Sequence, residues 1–204
     1  MNVQQRVLLA IAVVALSVLS GCWTCSLNSL YSDDDPQLTY EPALEGAWKT
    51  GHDDTRLIIT GDPKSMEYTL RLVDENESEN ESDADHRSEV AYKGRLVQLG
   101  VERFLDVVPE GDDVPGTIVA HNIFKVALQD DAFFFFLLNL DQLCRGPEAE
   151  GAILGQCING DFIITASTDV LQDFVGDHSD DEAVFPTMED DDIFRRAAKP
   201  WSAE

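Results

Sequence analysis

The sequence contains a series of short segments rich in β-branched and aromatic residues, separated by turn-forming residues, and this pattern limits the folds open to the chain. In residues 67–74, Tyr68, Leu70 and Leu72 alternate with a mainly polar set of neighbours. This period of two predicts a strand with one buried face. The turn signals that join consecutive strands as antiparallel hairpins lie at Gly61-Asp62-Pro63, near Gly100 and at Gln129-Asp130-Asp131.

Sequential antiparallel strands can remove their exposed edges by closing into an up-and-down barrel. The sequence therefore predicts a mainly β fold, an antiparallel up-and-down barrel or half-barrel of about eight strands. The predicted strands are "GAWKT", "TRLIITG", "EYTLRLVD", "EVAYKGRLVQLG", "ERFLDVVPE", "TIVAHNIFKVAL", "DAFFFFLLNL" and, as the last, "GDFIITA".

One predicted strand, Phe133 to Leu138, is apolar on both faces and must be covered on both sides. Ser167 is typical of a helix N-cap, and the apolar residues that follow share one helical face. We expect this C-terminal helix to pack on the outer face of Phe133 to Leu138. Its apolar stripe consists of Val170, Leu171, Phe174 and Val175.

The N-terminus has the pattern of a secretory signal, with Arg6 in front of the aliphatic run from Val7 to Leu19. That run is shorter than the roughly 20 apolar residues of a transmembrane helix. It ends in Leu19-Ser20-Gly21-Cys22, which resembles the lipobox of bacterial lipoproteins. The resemblance implies diacylglycerol on the Cys22 sulfur, cleavage before Cys22, and acylation of the new amine. An ordinary secreted protein with a cysteine at this place is the alternative.

The lipobox resemblance also implies a location. Trp23 follows the cysteine, whereas an Asp there retains enterobacterial lipoproteins in the inner membrane. The expectation is a protein of the bacterial cell envelope, lipid-anchored in the outer membrane and facing the periplasm. We divide the chain into a signal peptide (1–21), a lipid anchor with a flexible polar tether (22–43), a β domain (44–178) and an acidic tail (179–204).

Charge excludes some partners. A formal net charge of -25 argues against binding nucleic acid, whose phosphates require Lys and Arg. A solvated acidic surface accounts for the charge, and we read residues 75–86 as a long exposed acidic hairpin loop. The acidic segments lack the glycine and glutamate spacing of an EF-hand, so we expect neither a metal nor another cofactor.

Patterns of catalytic residues are missing as well. His52, His86, His121 and His178 form no HExxH or nucleophile–base pattern, so the sequence predicts no enzyme. His121 is the best single candidate for a functional histidine. A structural role, with a local hydrogen-bond partner, is commoner for a histidine in a strand.

Cysteines suggest one crosslink. Cys144 and Cys157 flank a glycine-rich loop, and an exported protein meets an oxidising compartment, so we expect a disulfide between them. Cys25 is then the odd thiol. Free thiols at all of these positions are the alternative.

Gly46-Ala47-Trp48 resembles the G-x-W signature on the first strand of lipocalins. The resemblance implies a cup-shaped barrel whose end is closed by Trp48. The sequence shows no Arg near the predicted last strand, where lipocalins stack one on this Trp. Residues Leu44 to His178 also resemble a group of uncharacterised bacterial lipoproteins that share "FLDVVPE", the H-x-x-F-K-V strand and "ITASTDVLQDF".

Two functions are compatible with these patterns. In the first, the barrel binds an apolar small molecule or lipid at the envelope, as lipocalin-like cups do. In the second, the core is filled by side chains and the domain is a structural or protein–protein interaction module of the envelope. The Phe-rich sequence allows both, because ten Phe residues can line a cavity or fill it.

Overall fold

The structure, a computed structural model, describes residues 24–50, 55–74, 89–111, 119–144, 154–158, 161–187 and 193–197. Strands in this part of the chain are β1 (Cys25–Ser26), β2 (Leu38–Thr39), β3 (Gly46–Lys49), β4 (Thr55–Asp62), β5 (Glu67–Asp74), β6 (Glu89–Leu99), β7 (Glu102–Pro109), β8 (Asn122–Gln129), β9 (Ala132–Leu137), β10 (Gly155–Ile158), β11 (Asp161–Ile164) and β12 (Phe194–Arg196). One α-helix, α1 (Thr168–Asp177), and 3₁₀ turns at Pro42–Leu44 and Asp141–Cys144 complete the described elements.

Eight of the described strands close into an antiparallel barrel. Strands β3 to β9 pair in chain order, and β12 pairs with both β9 and β3 to complete the ring. Phe194 lies opposite Phe133 of β9, and Arg196 lies opposite Trp48 of β3. The predicted fold class, an up-and-down barrel of about eight strands with a helix packed on it, is confirmed.

The predicted hairpins form where the turn residues allow them. The β6–β7 turn has Gly100 at φ 62°, and the β8–β9 turn has Asp130 at φ 51°. Both values lie in the left-handed region, which glycine adopts freely and aspartate tolerates. In β8 the interior side chains are Phe124, Val126 and Leu128.

The predicted last strand is wrong. Residues 161–164 form β11 in a separate sheet, ordered β1-β11-β10, on the outside of the barrel. The eighth barrel strand is β12, from the segment that the sequence assigns to an acidic tail. Val184 and Phe185 of that segment are also buried. The domain therefore extends beyond His178, because the tail supplies apolar residues to two cores.

The predicted flexible tether is also wrong for the residues that the structure describes. Cys25 and Ser26 pair in parallel with β11, and Leu38 and Thr39 pair with β6. Leu30 is fully buried between these two pairings. Because its few apolar residues have places in the fold, the segment from Thr24 onwards lies along the barrel wall.

A second hydrophobic core lies outside the barrel wall, and we call it the outer core. Leu171 and Val175 of α1 are buried in it together with Leu138, and Phe136 packs against it. The helix and the end of the Phe-rich strand therefore contribute side chains to the same core. Val170, in contrast, is 37% exposed, and Phe174 is only partly buried.

Candidate functional site

The barrel interior contains a cavity of about 420 Å³. It lies at one end of the barrel, which we call the open end. This end contains the starts of β4, β6, β8 and β12 and the ends of β5, β7 and β9. Pro186 and Thr187, beyond α1, lie beside it. The lining residues are Leu57, Leu70, Leu72, Tyr92, Leu105, Val107, Asn122, Phe124, Phe135, Leu137, Pro186, Thr187 and Phe194.

Nearly all of this lining is apolar. Among the described lining residues, only Tyr92, Asn122 and Thr187 have a polar side-chain atom. Asn122 is the first residue of β8, and Thr187 lies outside the strands, so two of these polar groups are at the opening. A cavity of this kind suits a hydrocarbon body with any polar group left near water.

The opposite end of the barrel, which we call the closed end, is filled. Trp48 is fully buried there, and its ring meets Phe133 edge-on at 4.5 Å between centroids. The indole N–H of Trp48 donates to the Leu44 carbonyl at 2.9 Å. Leu44 ends the 3₁₀ turn that leads into β3. Trp48 is therefore held at the closed end by both its ring and its indole N–H.

Sequence reasoning missed the cation that covers Trp48. The guanidinium carbon of Arg196 lies 4.3 Å from the Trp48 ring centroid, within the range of cation–π attraction. The same group donates to the carbonyls of Ala43 and Glu45 at 3.0 Å each. Arg196 was missed because the last barrel strand is β12 and not the segment that the sequence predicts.

Gly46 explains the first position of the G-x-W pattern. Its φ is 140°, a conformation that other residues rarely adopt. A Cβ atom at this position would also lie 2.6 Å from Nη1 of Arg196. Glycine therefore lets Arg196 approach closely enough to cover the tryptophan.

Two tyrosines seal the closed end beside the tryptophan. The rings of Tyr40 and Tyr68 stack with centroids 4.9 Å apart. The Tyr68 hydroxyl accepts from the backbone N–H of Glu41 at 2.7 Å, and burial raises the pKa of Tyr68 to about 12. Burial, followed by a hydrogen bond to Glu45, raises the pKa of Tyr40 as well. Both phenols are therefore neutral parts of the structure at neutral pH.

His121 lies outside the cavity, next to a buried carboxylate. Its Nδ1 is 2.8 Å from Oδ1 of Asp106, and the other carboxylate oxygen accepts from the Leu30 N–H at 2.7 Å. Asp106 is buried on the face of β7 that points away from the barrel interior. The pair fastens the N-terminal segment to the wall, which is the structural role that the sequence favours for a strand histidine.

The three described cysteines, Cys25, Cys144 and Cys157, lie outside the cavity. Cys144 and Cys157 form the expected disulfide, with Cα atoms 5.6 Å apart. Among the described cysteines, Cys25 carries a free thiol, and burial followed by the charge of Asp161 raises its pKa. A raised pKa disfavours the nucleophilic thiolate, so Cys25 has no sign of chemical activation.

Several predicted residues lie outside the described part of the chain. These are Leu19, Ser20, Gly21, Cys22, Trp23, His52, His86 and the whole of the acidic loop, residues 75–86. Within the described ranges no group of three His, Cys, Asp or Glu side chains is placed to hold a metal ion. None of the helices in those ranges has both the length and the apolar character needed to cross a membrane.

Comparison of the chain with models of known protein families, with curated proteins and with solved structures gave no match.

Proposed function

We propose that this chain is a lipid-anchored protein of the bacterial cell envelope whose barrel binds an apolar small molecule or lipid and catalyses no reaction. The cavity is the observation that carries the proposal. Its volume of about 420 Å³ falls in the range of small-molecule sites, and its lining is almost entirely apolar.

The size of the cavity indicates the class of ligand. A buried apolar cavity of about 150 Å³ holds benzene. The barrel cavity is nearly three times larger, so part of an acyl chain or a compound of several rings fits in it. A polar headgroup would remain at the opening, near Asn122 and Thr187.

The sequence supports the anchor. An aliphatic run ends in Leu19-Ser20-Gly21-Cys22, and the lipobox resemblance assigns diacylglycerol and an N-acyl chain such as palmitate to Cys22. Two or more chains hold a protein firmly at a bilayer, whereas one chain holds it only marginally. Trp23 favours the outer membrane, with the domain in the periplasm.

The alternative, an interaction module with a filled core and no ligand, fits only the closed end. Trp48, Tyr68, Leu96 and Phe133 are fully buried there. Around Phe124, Phe135 and Leu137 the interior is not filled. This difference favours a ligand over a solid core.

Binding can be tested with a soluble chain that starts at residue 22 and carries Cys22→Ser. An anthroyloxy-labelled stearate should bind it saturably with a micromolar dissociation constant. Leu72→Glu places a charge in the lining and should abolish this binding. Thr69→Glu, at an outward-facing position of the same strand, is the matched control and should bind like the parent chain.

Circular dichroism and urea unfolding would establish that both variants are folded. A folded parent chain that binds no apolar probe would support the interaction module instead. Equal binding by the Leu72→Glu variant would show that the probe does not occupy the cavity.

A further inference from the structure

The first described residues of the chain lie at the open end of the barrel. Ser26 exchanges two backbone hydrogen bonds with His121, at 2.9 and 2.8 Å. The residue after His121 is Asn122, which lines the cavity. The backbone N–H of Leu140 donates to Oγ1 of Thr24 at 2.8 Å, just beyond the end of β9 at Leu137. Thr24 therefore lies beside the opening.

This segment is fixed in place along its length. Thr24 and Ser26 are buried, and Cys25 pairs with Ile163 of β11. Further along, the amide of Gln172 in α1 donates to the Leu30 carbonyl at 2.7 Å. From there the chain runs down the wall, and the Gln37 carbonyl accepts from the Gln98 backbone N–H beside the β6–β7 turn, so the chain reaches the closed end by Gln37. The start of the segment cannot swing to the closed end without breaking these contacts.

Cys22 is two residues before Thr24, and two extended residues span about 7 Å. A lipid on Cys22 consequently enters the bilayer close to the open end. The long polar spacer that would let the barrel turn freely is not there, because the residues that could form it are bound to the wall.

Two apolar side chains near the opening are exposed to solvent. Val90, the second residue of β6, is 48% exposed, and Val119, just before β8, is 46% exposed. Val101, in the β6–β7 turn at the closed end, is 90% exposed and gives a matched position at the other end. The position of the anchor, and not the number of exposed apolar residues, distinguishes the two ends.

We propose that the open end of the barrel faces the bilayer that holds the lipid of Cys22, and that the cavity takes up acyl chains of phospholipids directly from that bilayer. This inference rests on the proposed function and adds the orientation of the barrel and the source of the ligand. Each methylene group that leaves a bilayer through water costs free energy. An opening pressed against the bilayer lets a chain pass from one apolar environment to another.

The test uses the full lipidated protein in phosphatidylcholine vesicles whose acyl chains carry bromine, which quenches tryptophan. Tryptophan is introduced at Val119 or at Val101 in a Trp23→Phe, Trp201→Phe background, and the emission of that background, which keeps Trp48, is subtracted. Val119→Trp should lose about half of its emission, because a side chain at this end reaches the acyl boundary. Val101→Trp should keep its emission. A third variant, Phe124→Trp, places the probe in the cavity and should be quenched when a brominated chain enters.

Leu137→Trp is the second cavity variant, in case Phe124→Trp does not fold. Equal quenching at Val119 and Val101, or none at either, would overturn the proposed orientation. If Val119→Trp is quenched but no folded cavity variant is quenched, the uptake of bilayer chains would be overturned. Binding of labelled stearate by the soluble chain would leave the proposed ligand function standing in both cases. Mass spectrometry that finds no lipid on Cys22 would instead contradict the proposed anchor itself.

Discussion

At the closed end of the barrel, Trp48 and Tyr68 are fully buried and Arg196 covers the tryptophan, whereas at the open end Tyr92 and Phe124 border empty volume. The connections differ in the same way. At the closed end β6 joins β7, and β8 joins β9, through two residues each. At the open end residues 75–88 and 110–121 join the strands.

Stability and binding are separated along the barrel axis. The closed end uses aromatic packing, a cation and tight turns to hold the strands together. The open end uses the same strands and leaves their interior side chains without partners on one side. Substitutions of similar size should therefore have different consequences at the two ends.

The largest expected effect is a difference in stability between alanine substitutions at two phenylalanines. Phe133→Ala removes a fully buried ring that contacts Trp48, Phe135 and Phe194 and should destabilise the protein by about 3–5 kcal/mol. Phe124→Ala enlarges an existing cavity and should cost only about 1–2 kcal/mol, because part of its ring has no packing partner to lose. Urea unfolding of both variants measures the difference. Equal losses would mean that the open end is packed as tightly as the closed end.

A smaller effect is expected from Arg196→Ala. It removes the cation over Trp48 and two hydrogen bonds to backbone carbonyls, and should cost about 1–2 kcal/mol. Arg195→Ala, at the neighbouring outward-facing position of β12, is the control and should change the unfolding free energy by less than about 0.5 kcal/mol. Stearate binding should remain in both folded variants. Loss of binding in Arg196→Ala would show that the two ends are coupled.

The smallest effect concerns pH. Burial raises the pKa of Tyr68 to about 12, whereas an unfolded tyrosine titrates at about 10. The free energy that the neutral Tyr68 phenol contributes to folding is therefore fully present below about pH 10. It is lost as the pH rises from there through about 12. Between pH 9 and 11 the wild type should lose on the order of 1 kcal/mol more than Tyr68→Phe.

The matched substitution at the open end, Tyr92→Phe, should keep the wild-type pH dependence, since it leaves Tyr68 in place. Unfolding free energies of the three proteins at the two pH values provide the measurement. The same alkaline loss in Tyr68→Phe as in the wild type would assign the effect to another group.

The hairpins of the barrel could be predicted from sequence because each has its own signal. Alternation in β5 and β8 and the turn residues Gly100 and Asp130 act over a few neighbouring positions. The fold class followed from joining these local signals in chain order.

The closing strand could not be predicted in this way. β12 has three residues, too few for an alternation, and its place depends on the free edges of β3 and β9. Arg196 was missed for the same reason, because its role exists only once Trp48 lies beside it. Leu30 and Leu38 stand singly among turn-forming residues, which gives no local signal of burial. Their packing positions are known only from the folded barrel.

The cavity depends on how much of the barrel interior the side chains of all eight strands fill together, and no single segment determines that volume. Phe133 and Phe135 both point inward from β9, yet the first fills the closed end and the second borders the cavity. The identity of the residues is the same, so the sequence leaves open whether the interior is filled.

The position of β12 has a consequence for the order of folding. The strand that completes the ring is the last described strand to be synthesised, and its partner β3 is the first of the barrel. Until β12 arrives, the other seven strands can form only an open sheet with β3 and β9 as free edges. Free edges invite pairing with other chains, and contacts between distant parts of a chain form slowly. The nascent protein is therefore most prone to aggregate in the interval just before its C-terminal segment is available.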